Sequence, residues 1–354
     1  MMKNLRLFNW LLLVVFASTL FACESDDAVS PPIVQGKYSS GVFIVNEGNF
    51  GTDNSAISFY DRALGTVQNN IFKEVNDRPL GNTAQSMSII DTLAYIVVNA
   101  SNKLEVVSYA TFTSKGGIDE GLSNPRYFAA LGNKGYITNW GDFGAVESFI
   151  AVVDLNTLTI EDKISTGNGP EAIRAVGGKL FFTNNFGNTL GILNPATGEV
   201  VEVTLHDSPA AMAEDKNGKL WVICSGGYDE NYQSKKDGKL FRINPVSQEI
   251  EKTFDLGLAA SKMVINGSGD ELVYISGNEI YRLSIDAETV PEAAWVVNES
   301  ASFYSVGYDP AEDIVYAGDA NAFQGSGTVY RYNFEGEIID YLEVGIGPNS
   351  FVFK

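Results

Sequence analysis

Apolar residues in this chain fall in short runs, many of them closed by Asn, Asp or Gly, and helical spacing is absent after residue 22. Tyr136-Ile137-Thr138-Asn139, Phe149–Asp154, Lys179–Asn184 and Leu190–Pro195 show the rhythm. Runs this short, rich in Tyr, Phe and Val and bounded by turn formers, predict β-strands. Asn194-Pro195-Ala196-Thr197-Gly198 and Asn244-Pro245-Val246-Ser247-Gln248 supply the turn chemistry between them.

One short pattern recurs along these strands. Its clearest copies are Asn124-Pro125-Arg126-Tyr127-Phe128, Gly169-Pro170-Glu171-Ala172-Ile173, Ser208-Pro209-Ala210-Ala211-Met212 and Gly347-Pro348-Asn349-Ser350-Phe351. Copies without the proline are Ala84-Gln85-Ser86-Met87, Ala260-Ser261-Lys262-Met263 and Phe303-Tyr304-Ser305-Val306. From Met87 to Phe351 the final apolar residues step by 41, 45, 39, 51, 43 and 45 residues. A repeat of this length made of short strands predicts an all-β propeller, one copy per blade. Residues 41–354 give seven blades; six with one irregular copy is the alternative. The body opens on a second-strand pattern, Gly41–Asn46, and ends on a first-strand pattern, Ser350–Lys354. The C-terminal strand is therefore expected to pair into the N-terminal blade and close the ring, which removes open sheet edges.

The first 22 residues read as a signal segment, with Lys3 and Arg6 before the apolar Leu11–Phe16. The apolar run is about 14 residues, short of the roughly 20 that span a bilayer. Leu20-Phe21-Ala22-Cys23 resembles a bacterial lipobox, which makes Cys23 the expected lipidation site, and Glu24-Ser25-Asp26-Asp27 resembles the acidic surface-export tag of Bacteroidetes lipoproteins. Residues 23–40 then form a tether, and the membrane is reached through lipid alone.

Formal charge is −20, and loss of Lys3 and Arg6 takes it to −22. Such a surface excludes nucleic-acid binding by phosphate neutralisation. Cys224, the other cysteine, lies in the apolar run Leu220–Cys224 and reads as a buried small hydrophobe. A single histidine, His206, rules out a His-rich metal site and leaves a Ser-His-Asp arrangement to one residue at the end of an outer strand. Asp229-Glu230 and Glu312-Asp313 fall in polar loops, and Asp309–Asp313 lacks a calcium-loop spacing. No cofactor or metal is expected, nor catalysis; a lyase or hydrolase with a carboxylate-held metal is the weakest alternative.

What remains is one mouth of the ring. The segment entering each innermost strand should face the axis, which places Gln85, Arg126, Glu171, Ala210, Ser261, Tyr304 and Asn349 around it. The second strands end on Asn46, Glu47, Asn49, Asn99, Asn102, Asn139, Asn184 and Asn185, beside Phe50, Trp140, Phe186 and Tyr228. Amides next to flat rings suit a large neutral ligand, a corrinoid or a glycan; the same asparagines also suit turn conformation alone.

Tyr136-Ile137-Thr138-Asn139 and Phe181-Phe182-Thr183-Asn184 resemble the signature of the YVTN (YncE-like) seven-bladed propellers. Gly41–Gly51 with Thr83–Met87 is similar to propeller lipoproteins of Bacteroidetes, among them surface cobalamin-binding lipoproteins that sit over TonB-dependent outer-membrane transporters. The resemblance covers the body and implies an outer-membrane lipoprotein facing the exterior, with a corrinoid as ligand and such a transporter as partner. It does not carry over the histidine-and-acid cluster of the streptogramin-lyase propellers. A cell-surface scaffold that binds only protein is the other reading.

Overall fold

In the computed structural model, residues 36–142, 147–231 and 233–354 are described. The expected leader, Cys23 and most of the tether lie outside them. The body is a closed ring of seven four-stranded antiparallel sheets. Innermost strands are Ala84–Ile90, Pro125–Leu131, Pro170–Val176, Pro209–Glu214, Lys262–Ile265, Phe303–Asp309 and Pro348–Phe353, and each packs on the next around the axis. We number the blades from the N-terminus, so Ala84–Ile90 opens blade 2 and Phe303–Asp309 opens blade 7. Pro348–Phe353 is the innermost strand of blade 1, paired to Val42–Asn46 with Val42 opposite Phe353 and Ile44 opposite Phe351. Gly41 and Lys354 extend this seam with reciprocal backbone hydrogen bonds of 3.0 and 2.9 Å.

The core lies between blades, in seven apolar layers, one for each interface. Alternation along a strand assigns successive side chains to opposite layers: Leu180 and Phe182 pack against blade 3, Phe181 against blade 5. Both faces of a second strand are thus covered, which is why these runs are apolar throughout. Outer strands such as Thr159–Ser165 face water and alternate only weakly. Cys224 is buried, and burial pushes its thiol up to about 12.

Two expectations need correction. The body begins before Gly41: Tyr38 is buried, with its ring 5.1 Å from Phe59 and 5.8 Å from Phe112. Among the described residues one short α-helix is present, Ile71–Asn76, too short to register as a period; Ile71 and Phe72 bury its apolar side in the same layer.

Candidate functional site

The recurring pattern is a device for aiming a side chain at the axis. The residue before each proline is left-handed: φ is 47° at Asn124, 67° at Gly169, 55° at Ser208 and 66° at Gly347. Proline then starts the inner strand, where no ladder donor is required of it. Register next slips between Pro125 and Phe128, Pro170 and Ile173, and Pro209 and Met212. Such a bulge inserts one residue and re-aims its neighbours, so Arg126, Glu171 and Ala210 leave the pleat for the mouth. Gln85, Tyr304 and Asn349 sit at equivalent slips. Blade 6 has no slip, its strand starts at Lys262, and Lys262 takes the axial place expected for Ser261.

The threonine of the YVTN-like signature locks this geometry. Thr138 Oγ1 accepts from Tyr127 N at 3.0 Å and donates to the Glu171 carbonyl of the next blade at 2.7 Å. Thr183 repeats this, accepting from Ala172 N at 3.1 Å and donating to the Ala210 carbonyl at 2.9 Å. Ser86 to the Arg126 carbonyl and Ser305 to the Pro348 carbonyl make corresponding bonds of 2.8 and 2.7 Å.

At blades 3 and 4 the mouth carries a tight assembly. Arg126 donates two hydrogen bonds to the Glu171 carboxylate, at 2.8 and 2.9 Å, and its guanidinium lies 3.8 Å from the centre of the Trp140 ring. Burial opposes the Arg126 charge, but Glu171 outweighs it and holds the pKa above the ordinary value. Trp140 in turn leans on Phe186, with ring centres 4.6 Å apart. Gly169 must be glycine here, because a Cβ would come within 2.3 Å of Phe186 on a backbone already at positive φ.

On the opposite arc the axis is filled. Tyr304 donates to Glu47 at 3.0 Å, Lys262 donates to Asn349 Oδ1 at 2.9 Å, and Asn349 donates to the Gln85 carbonyl at 2.6 Å. Burial raises the Glu47 pKa, partly offset by Lys262 and the Tyr304 hydroxyl. Asn49 ties this arc to blade 7 through the Phe323 carbonyl at 3.0 Å. The mouth therefore balances Arg126 and Lys262 against Glu47 and Glu171 in a protein that is otherwise strongly acidic.

Several expected contact residues face inward instead. Asn46, Asn139 and Asn184 are fully buried and spend their amides inside their own blades, on Ile44 and Ala56, on Ile137, and on Thr189 and Glu202. Asn99 and Asn185 bridge to the next blade through the carbonyls of Pro125 and Pro209. Phe50 projects into solvent at 84% exposure, away from the axial cavity lining. Tyr228, also exposed, does line one: an axial cavity of about 1030 Å³ runs from Arg126, Trp140, Glu171, Asn185, Lys262 and Asn349 down between the inner strands. Sequence reasoning missed Lys262, because the pattern aligned Ser261 in its place. Asp309 and Glu312, read as a polar loop, instead join an ion-pair network: Arg62 lies 2.7 Å from Asp309, which is fully buried. His206 is half-buried, 3.5 Å from Asp237. Among the described residues no three His, Cys, Asp or Glu side chains form a metal-holding group.

With this geometry in place, comparison with known proteins identifies the family. The chain belongs to the family described as a domain of unknown function, DUF5074. Its model matches residues 40–353, the whole propeller. No curated protein matches the chain. Among solved structures, a quinonprotein alcohol dehydrogenase-like protein from Bacteroides thetaiotaomicron is similar at 13% identity, with 89% of this chain and 78% of that chain covered and a TM-score of 0.71. A virginiamycin B lyase from Staphylococcus aureus is similar at 14% identity, covering 73% and 83%, with a TM-score of 0.56. At these identities the DUF5074 chain shares the propeller fold with them.

Proposed function

We propose that this DUF5074 propeller is a binding protein whose ligand enters the open arc of the mouth, between Trp140, Phe186 and Tyr228. The observation that carries the reading is the charge-balanced, aromatic-flanked opening over a cavity of about 1030 Å³. At the mouth itself the Arg126–Glu171 ion pair, the hydrogen-bonded Lys262 and the flat rings suit a large ligand that is neutral overall and offers amides and an apolar face. A corrinoid has that chemistry, and the sequence resemblance to cobalamin-binding surface lipoproteins makes cobalamin the first candidate. The lipobox-like Cys23 and the acidic stretch after it support an outer-membrane lipoprotein that hands its cargo to a TonB-dependent transporter.

Titration of the purified protein with cobalamin, followed by calorimetry and by the corrin absorbance, tests the reading. One-to-one binding that Trp140→Ala weakens about 10–100-fold, as expected for an aromatic anchor, supports it. Absence of binding by cobalamin and by other corrinoids overturns the corrinoid assignment. Co-purification with a transporter but no small ligand would favour a protein-only scaffold.

A further inference from the structure

Seven arginines lie among the described residues, and six of them face a carboxylate within ion-pair reach: Arg62, Arg78, Arg126, Arg242, Arg282 and Arg331. Arg174 is the exception. Among the described residues it donates no hydrogen bond and has no carboxylate within 4.0 Å. It sits on the inner strand Pro170–Val176, lines the axial cavity, and is open to the solvent of that cavity. It stands three positions after Glu171, so it lies about 10 Å below the mouth at strand rise. Burial by the channel wall lowers its pKa, and only Glu214 acts on it through space to offset this.

A guanidinium facing an open cavity with five free donors is a ready partner for a planar anion. Near it the wall is apolar, from Ile173, Met212, Val264, Ile265, Phe351 and Phe353. The other two cations on the cavity wall, Arg126 and Lys262, are already engaged at the mouth. We infer that the axial channel is a second binding site, distinct from the mouth, for a small organic carboxylate whose charged head pairs with Arg174 and whose apolar body lies against that wall. The fork of the arginine sets the head-group geometry, and the apolar wall takes the chain.

The test uses the full chain with hexanoate as probe, hexylamine as the opposite-charge control and inorganic phosphate as the compact anion. Hexanoate should raise the thermal midpoint in a concentration-dependent way and bind with a measurable heat, and hexylamine should do neither. Arg174→Gln should weaken hexanoate binding at least 10-fold, and Arg174→Lys should weaken it less, because it keeps charge but loses the fork. Without ligand, Arg174→Gln should be as stable as the parent, since it breaks no hydrogen bond. Equal hexanoate binding by parent and Arg174→Gln overturns the proposal. So does a response to phosphate without one to hexanoate, or a large loss of stability in ligand-free Arg174→Gln. Cobalamin binding at the mouth should survive both Arg174 substitutions, which separates this site from the one proposed above.

Discussion

Blades 7, 1 and 2 and blades 4, 5 and 6 carry the same repeat and present opposite faces to the axis. On the first arc Asn349 and Gln85 are almost wholly buried, Tyr304 is capped by Glu47, and Ser305 and Asn349 bond the next blade directly. On the second arc the ring position of blade 5 is only Ala210, Ser261 is exposed, and the cavity opens. The hydroxyl lock also lapses in blades 5 and 6 of this arc. Ile223 and Ile275 stand where Thr138 and Thr183 stand in blades 3 and 4, by the pairing of Cys224 with Pro209 and of Ile275 with Lys262. The fold tolerates both because the apolar layers between blades, not the axial contacts, hold the ring. Side-chain size and one hydroxyl at equivalent positions then decide where the channel is sealed and where it admits a ligand.

The comparison is broken most completely at the seam. Deleting Pro348–Lys354 strips blade 1 of its inner strand and removes Asn349 and Phe351 from the closed arc. We expect no cooperative thermal unfolding transition by circular dichroism. A truncated chain that still melts cooperatively would show that the closed arc does not depend on ring closure.

A smaller break tests the ion pair that joins blade 3 to the open arc. Arg126→Ala leaves Glu171, 9% exposed, without its partner, which should cost about 3–5 kcal/mol in chemical denaturation. Arg126→Ala with Glu171→Ala should recover much of that loss. Removing one lock is milder still: Thr183→Val orphans the Ala172 N–H and the Ala210 carbonyl and should cost about 1–3 kcal/mol. Ser261→Trp sharpens the contrast from the other side. It should narrow the open arc and abolish cobalamin binding while changing stability by no more than about 0.5 kcal/mol, as for other exposed positions.

How much of this was legible beforehand differs between fold and site. The repeat spacing gave the blades and the seam, because every blade must bury the same two faces and so repeats the same apolar runs. The ring positions Arg126, Glu171 and Asn349 were readable for the same reason, since proline and its left-handed predecessor mark the bulge, and Tyr304, in a copy without the proline, was readable from the repeat spacing alone. Lys262 was not, since blade 6 lacks the bulge and a one-residue slip is invisible to alignment. The asparagines misled because one residue type serves both buried turns, as at Asn139, and open mouths. Nor does a sequence show which of its arginines finds a carboxylate, as Arg126 does and Arg174 does not. That depends on the neighbouring blade, about 45 residues away.

The smallest expected effect concerns what seals the closed arc. Burial raises the Glu47 pKa above its ordinary value of 4.5, so the folded state favours the protonated carboxyl. Stability from this group is then fully present below pH 4.5 and is lost as pH rises through the raised folded value. Glu47→Gln mimics the protonated form and can still accept from the Tyr304 hydroxyl. Its thermal midpoint should match the parent at pH 4 and exceed it by a growing margin as pH rises, until pH has passed the raised folded value. The competing force is the attraction of Lys262 and Arg126 for the Glu47 charge. If that attraction dominates, Glu47→Gln is instead the less stable protein at pH 7, and the difference shrinks on acidification. The sign of the pH slope therefore decides whether the closed arc is held shut by packing around a buried acid or by the charges that meet there.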